Sequence, residues 1–580
     1  MDNEKNLFFA LILIGLVLLF VWSPMYQKVF YPEQYRAKQE MLEKARQTPA
    51  DSSPADDSSK PADPVIPDSP RTESPVIMPS FSPSEMTAVA ERSIVVETDF
   101  YRAEMSSKGG TIKQWELKSY LGPDGEPVRL FPDHAMGTLG LTFISPDDDT
   151  LNTADWHFNF DADSVIVLQN DQSQRLEFVH QLADGKAIRK LYVFENGKYD
   201  ISLQVNLLGM GSIISEKMYF IGAPTGLVST EKHLSDDMYY AKAAVTASGT
   251  VNSDFGSVNK LYREDGAIDW VGVRTKYFLL AIAPQNQKGQ FGQVQKQELL
   301  TPQDPKVKWK KFSVQLAMPY LGGNQVSDNY LIYLGPLEYD VVKSYGLNFE
   351  KFMDFGFKLI QPFSHAILWS FKKIHTFVPN YGWVLIIFSI LIKIIVTPLT
   401  NKSYQSMKKM QVLQPKMVEL KQKFQKDPQR LNKETMRLYK EEGVNPMSGC
   451  LPVLLQMPLL WALFIVFRST IELRHQPFIW WIQDLSNPDT IATLPFSIPI
   501  YGDKVNILPL FMGATMLIQQ KMTTMDPKQK ALVYIMPIFF TLLFNSFPSG
   551  LNLYYALFNI LSIAQQIYMD RKAKRQIIKK

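Results

Sequence analysis

Apolar residues along this chain of 580 follow three spacings in turn. The first is an unbroken run, Leu7 to Trp22 (LFFALILIGLVLLFVW), flanked by Lys5 and Lys28. Such a run is a membrane anchor or a secretory signal. The SPMYQKVFY after it has no small-x-small cleavage site and no lipobox cysteine, which favours an anchor over residues 1–27. Sixteen residues are short for a bilayer, so Val21–Tyr26 are expected to extend the span. Pro49–Pro83 then carries nine prolines among Ser, Asp and Ala. That composition cannot bury a core, and residues 28–92 are read as an extended, disordered tether.

The second spacing has period two and fills residues 93–345. Ala187–Glu195 (AIRKLYVFE) and Tyr199–Leu207 (YDISLQVNL) alternate, with Asn196-Gly197 between them. Asn-Gly suits a type I′ turn, so the pair predicts a β-hairpin. Ser93–Glu97, Arg175–Val179 and Lys276–Ala283 are further strand-like runs, and Asp124-Gly125 and Asp184-Gly185 mark turns. Many short strands and few helical stretches predict an antiparallel β-sandwich. No concentrated set of His, Asp and Glu marks an active site there. The region reads as a docking or spacing domain, with a carbohydrate- or peptide-binding cleft as the alternative.

The third spacing is helical. Phe355, Leu359, Phe363, Ile367, Phe371 and Ile374 recur within Phe352–Val378, flanked by Lys358, Lys372 and Lys373. They predict an amphipathic helix within residues 346–380, broken near Pro362 and lying in the membrane interface. Five apolar spans follow: Trp383–Leu399, Leu451–Phe467, Val505–Gln520, Ala531–Phe547 and Leu551–Met569. Between the first two, Met407, Met410, Leu413, Met417, Leu420 and Phe424 keep a three–four spacing, resumed by Leu431, Thr435 and Leu438 after Asp427-Pro428. This predicts a cytoplasmic helical hairpin, 402–446, within a five-span core, 381–569, ahead of a basic tail, 570–580. Lys and Arg number eleven in Lys402–Pro446 and six after Met569, against three in Arg468–Lys504. The positive-inside rule therefore puts the hairpin and both termini in the cytoplasm and the β domain outside. Arg36, Lys38, Lys44 and Arg46 run against that orientation, and the five downstream spans outweigh them.

Composition narrows the chemistry. A net charge of +4 is too mild to indicate nucleic acid, and no DNA partner is expected. A single cysteine, Cys450, excludes intrachain disulfides and thiolate metal clusters. The seven histidines are scattered without HExxH, and there is no P-loop or GxGxxG. No cofactor, metal or covalent catalysis is expected.

Lys393 stands alone inside the first core span, an expensive place for a charge and a functional-site hypothesis by default. The spans also carry Gln456, Gln519, Gln520, Asn545, Asn552, Asn559, Gln565 and Gln566, with Ser389, Tyr554 and Tyr555, and neither Asp nor Glu. A cation among amides and hydroxyls implies a hydrated cavity. The alternative is snorkelling, because Pro398 is about 7 Å along the axis, within much of a lysine's reach.

Several segments resemble one family. EGVNPMSGCLPVLLQMP at 442–458, IKIIVTPLT at 392–400 with QSMKKMQVLQPKM after it, ELRHQPFIWWIQDLS at 472–486 and FPSGLNLYY at 547–555 are similar to the membrane region of the YidC-type membrane protein insertases. SSKGGTIKQWEL at 106–117 and WVGVRTKYFLLAIAP at 270–284 resemble their periplasmic domain. The resemblance implies a Gram-negative inner-membrane insertase with an anchor, a periplasmic β-supersandwich and five spans. Those spans would form a groove open to cytoplasm and lipid and closed outside. It implies that Lys393 takes the place of the family's usual groove arginine, which keeps the charge and loses the bidentate fork. Ser389, Gln456, Tyr555 and Asn559 match polar groove positions.

The expected activity is insertion and folding of nascent membrane proteins, with the bilayer, the Sec translocon and the ribosome as partners. A translocon-bound chaperone without independent insertion is one rival. A solute transporter is another, but it predicts repeat symmetry and intramembrane carboxylates that the sequence lacks. A sugar-processing β domain would rest on fold analogy alone.

Overall fold

The period-two alternation folds into strands throughout the first half. The computed structural model describes residues 90–578 apart from 134–136, 254, 256–257, 301–307, 426, 445–450, 499–500 and 524–529. The expected anchor, all but the end of the tether, and Cys450 lie outside the described residues. A small sheet orders Pro127–Arg129, Thr111–Leu121, Tyr101–Ser106, Ser93–Glu97 and Val165–Val167. A larger one runs from Thr150–Asn152 through Met218–Ala223, Lys308–Pro319 and Phe278–Pro284 to Ser173–Gln181 at the far edge. Ile94, Val96, Trp115 and Leu117 from the small sheet share one buried cluster with Phe178, Tyr192, Leu203 and Ile332 from the large one. Inward-facing rows from both sheets thus form a sandwich core. Lys190 is buried in it, donating to the Gly109 and Leu139 carbonyls, each at 2.7 Å. Burial lowers its pKa to about 7.

The sandwich is not wholly antiparallel. Val95, Val96 and Glu97 pair in parallel with Val165, Ile166 and Val167. The long intervening segment lets the chain return in the same direction, which a tight hairpin cannot do. The hairpin forms, from Ala187–Glu195 and Asp200–Leu208, with Ile201 opposite Phe194. Its loop is four residues long, and Gly197 at φ +78° is its only left-handed residue, so a type I′ turn is absent. Asn196 is used as a tie instead. Its Nδ2 donates to Asp99 Oδ2 at 2.6 Å and to the Asn170 carbonyl at 2.9 Å, and its Oδ1 accepts from Asp99 N at 2.8 Å.

A short helix, α1 (Leu234–Tyr240), interrupts the strands, and α2 (Tyr339–Ser344) closes the domain. The next helix, α3 (Gln361–His375), carries Pro362 in its first turn. Proline therefore starts this helix rather than breaking it, because a first-turn N–H has no intrahelical partner. Ile367 and Phe371 face the bundle core, while Phe363, Trp369 and Phe377 are exposed.

The apolar runs form α4 (Tyr381–Val412), α7 (Leu451–Ser469), α8 (Ile507–Thr523), α9 (Lys530–Phe544) and α10 (Ser549–Ile578). Asn380 caps α4 by accepting from Gly382 N at 2.9 Å. That helix continues past Lys402 to Val412, beyond the expected start of the hairpin. The remaining residues of the expected hairpin contain α5 (Gln414–Lys423) and α6 (Pro428–Glu441), with Asp427 capping α6 through Arg430 N at 3.0 Å. Glu419–Thr435 belong to a separate compact unit.

Candidate functional site

The α4 helix places Lys393 where two other helices meet it. Only 7 % of Lys393 is exposed. Its Nζ donates to Ser562 Oγ on α10 at 2.7 Å, and Ser562 Oγ donates onward to the Phe558 carbonyl at 2.8 Å. The same ammonium lies 4.8 Å from the centre of the Phe558 ring, a cation–π contact. Among the described residues no carboxylate pairs with it. The side chain thus turns across to α10, not along its own helix toward Pro398. Thr397 Oγ1 donates to the Lys393 carbonyl at 2.6 Å, next to the proline that cannot donate.

Of the other expected site residues, Asn559 is the nearest along α10 to this contact. Its Nδ2 donates to Thr515 Oγ1 on α8 at 3.2 Å. Ser389 is fully buried one turn before Lys393, but its hydroxyl donates to the Leu385 carbonyl at 2.7 Å. The Tyr555 hydroxyl is buried without a hydrogen-bond partner among the described residues, its ring packed on Phe544 and Tyr554. Gln456 is half-buried in α7, and no hydrogen bond joins it to Lys393. The structure therefore brings Lys393 and Asn559 to the α4–α8–α10 junction, with Ser389 buried one turn away on α4 and bonded only within its own helix. Hydrogen bonds tie neither Tyr555 nor Gln456 into it.

Ser562, Thr515 and Tyr404 were missed. Tyr404 lies beside Gln519 and Ser562. A signal existed: Tyr555, Asn559, Ser562 and Gln566 are spaced four, three and four, one polar stripe along an apolar helix. Ser389, Lys393, Thr397, Thr400 and Tyr404 make the matching stripe on α4. Gln565 links the two helices lower down, donating to Asn401 Oδ1 at 2.7 Å and Thr400 Oγ1 at 3.1 Å.

A second polar cluster joins the bundle to the β domain. Asp236 on α1 sits between Lys276, at 2.7 Å, and Arg468 at the end of α7, whose Nε lies at 2.9 Å. Burial pushes the Asp236 pKa up, and the two cations more than reverse this, holding it well below the usual carboxylate range. Its neighbour Asp237 accepts from Lys276 N at 2.8 Å and Thr230 N at 3.1 Å. Burial, and then the charge of Glu231, raise Asp237 to about 6. Arg474 bonds Glu231 Oε1 at 2.8 Å. None of these partners was expected.

Outside its polar stripes the bundle exposes many large apolar side chains. Ile390, Ile394, Ile395, Phe511, Ile518, Ile535 and Ile538 are exposed. By length and composition α4 is the one described helix suited to crossing a bilayer; Gln456–Ser469 and Val533–Phe544 are shorter apolar helices. Such a surface, with a buried cation and an appended β-sandwich, defines a helical membrane protein carrying a large extramembrane domain. Family models agree in both halves: "YidC periplasmic domain" matches residues 93–369 and "60Kd inner membrane protein" matches 373–576. The membrane protein insertase YidC of Chloroherpeton thalassium is 35% identical over 588 residues, covering 99% of this chain and 97% of the relative. That of Chlorobaculum parvum is 37% identical over 491 residues, 83% of this chain and 82% of the relative. A crystal structure of an active YidC insertase aligns over 82% of this chain and 92% of its own, at 18% identity and a TM-score of 0.35. The chain belongs to the YidC family of membrane protein insertases. Its substrates are membrane proteins and its medium is the bilayer, and insertion breaks no covalent bond.

Proposed function

We propose that Lys393, Ser389, Gln456, Tyr555 and Asn559 line a hydrophilic groove within five core spans, open to the cytoplasm and the lipid and closed on the outer side. In this reading the protein sits in a Gram-negative inner membrane, with a periplasmic β domain, an N-terminal anchor and cytoplasmic termini. The domain limits are those expected from the sequence, with 346–380 as the interfacial segment and 402–446 as the cytoplasmic hairpin. The single supporting observation is the Lys393 ammonium. It is buried, it meets one hydroxyl and one aromatic face, and no described carboxylate neutralises it. An ammonium has three N–H donors, so two are left for water or for an anionic guest.

A substrate's short acidic tail enters the groove and is drawn toward Lys393. This lowers the desolvation cost of carrying polar groups across hydrocarbon. The substrate's apolar helix slides against α7 and α9 and partitions into lipid, and its burial drives the process. The hairpin receives substrates, the basic tail meets the ribosome, and the Sec translocon is a neighbour for larger clients. The test is insertion of a small single-span substrate with an acidic tail by reconstituted Lys393→Arg, Lys393→Ala and Lys393→Glu variants. Arg retains insertion, Ala weakens it and Glu weakens it most. Equal insertion by all three sinks the charge-attraction role.

A further inference from the structure

One loop, residues 470–489, reaches the end of every helix in the bundle. It leaves α7 after Ser469 and meets the start of α4, where Asn380 Nδ2 donates to the Pro477 carbonyl at 3.0 Å. The Phe478 ring occupies the space that a Cβ on Gly382 would need. At the start of α8, Asp489 Oδ2 accepts from Leu508 N at 2.8 Å and Ile507 N at 3.1 Å. At the start of α10, Ser549 N donates to the Asn487 carbonyl at 2.8 Å and Gly550 N to that of Leu485 at 3.1 Å. Leu473, Ile482 and Leu485 are buried in one apolar cluster with Phe467, near the end of α7, and Phe544, at the end of α9.

This loop is not at rest by itself. His475 and Trp480 hold left-handed backbones, at φ +54° and +56°. Each such non-glycine backbone is strained and persists only where its surroundings over-determine it. Beside His475 those surroundings come from the β domain, through Arg474. Arg474 Nε donates to Glu231 Oε1 at 2.8 Å, and Nη2 donates to the Leu121 carbonyl at 2.8 Å and the Thr230 carbonyl at 3.4 Å. Its guanidinium also lies 5.7 Å from the Tyr277 ring and 5.6 Å from the Phe278 ring. Every one of these partners is in the β domain, next to the strained His475.

We propose that Arg474 is a positioning residue through which the β domain clamps residues 470–489 down as the outer seal of the bundle; this rests on the groove reading above. The clamp works because a buried guanidinium is satisfied only while the domain is docked. Lifting the loop strands Arg474 and Glu231 together, so opening the seal and undocking the domain are one event.

The test uses the full-length protein with Cys450→Ser, in membrane vesicles of either orientation, labelled with a membrane-impermeant maleimide. Leu485→Cys replaces a buried side chain on the inner side of the loop and reports lifting of the seal. Ser389→Cys reports the groove. With the clamp intact, the Leu485 reporter is protected from the outer face. In Arg474→Ala, which loses the bond to Glu231 and both carbonyl bonds, it labels about tenfold faster or more. Glu231→Gln, which keeps both carbonyl contacts, gives a smaller rise, and Arg474→Lys restores part of the protection. Unchanged outer labelling of the Leu485 reporter in both Arg474→Ala and Glu231→Gln overturns the clamp. Should Arg474→Ala fail to accumulate, Glu231→Gln alone decides the matter. A Ser389 reporter that no variant exposes to cytoplasmic label defeats the groove reading and leaves the clamp result standing.

Discussion

Glu472 follows α7 with 8 % of its side chain exposed and its Oε1 3.5 Å from Lys372 Nζ. That ammonium is closer to Glu338, at 2.9 Å, and to Asp340, at 2.6 Å, so Glu472 receives a diluted partner. Burial therefore outweighs attraction, and the pKa rises from 4.5 to about 7. The protonated form is the one the fold prefers. Its stabilisation is complete below the unfolded value and is lost as pH rises through about 7. Glu472→Gln should thus stabilise the fold at pH 8, by no more than about 3 kcal/mol, and so raise the unfolding temperature there, with the gain shrinking to nothing toward pH 4.5. Thermal unfolding in detergent across that range measures it, and a gain independent of pH would refute the assignment. At this scale the sequence was unequally informative. Lys393 was legible because a lone charge interrupts an apolar run, whereas Glu472 looks like any loop carboxylate. Its burial comes from β-domain and α3 residues far away in the chain.

At the scale of elements, strands and helices were legible wherever periodicity and side-chain chemistry agreed. Ser93–Glu97 and Ala187–Glu195 form with the expected ends. The errors fall where a residue has two uses. Asn196 suits a turn, but its amide is drawn to Asp99 and Asn170, and the loop opens to four residues. Pro362 breaks a helix interior and equally well starts a helix. A helical hairpin was expected to begin at Lys402, but lysine is a good helix former and α4 runs on to Val412. Asn196→Ala removes three hydrogen bonds that staple the hairpin loop to Asp99 and Asn170. A loss of about 1–2 kcal/mol is expected, because the groups it leaves can turn to water. Denaturant unfolding followed by β-sheet circular dichroism measures this. A change below a few tenths of a kcal/mol would mean that Gly197 alone directs the turn.

At the scale of the molecule, the docking of the two halves was hidden from the sequence. Asp236 and Arg468 are 232 residues apart, and neither has a local pattern that announces a partner. Asp236→Asn would leave Lys276 and Arg468 buried together without a counter-charge. Removing one member of such a cluster costs about 3–5 kcal/mol. The expected result is undocking of the β domain, seen as rapid limited proteolysis at residues 229–240, with little relief from added salt because the groups are buried. Retained protease resistance would show that apolar packing suffices to hold the joint. The loop that reaches all five helix ends also has a consequence for biosynthesis. Its carbonyls at Leu485 and Asn487 find their donors on Gly550 and Ser549, residues made only after α8 and α9. A ribosome-bound chain stopped before Ser549 therefore carries this end of the barrel of helices unlatched. The proposed seal is therefore latched to α10 only once Ser549 and Gly550 have been made.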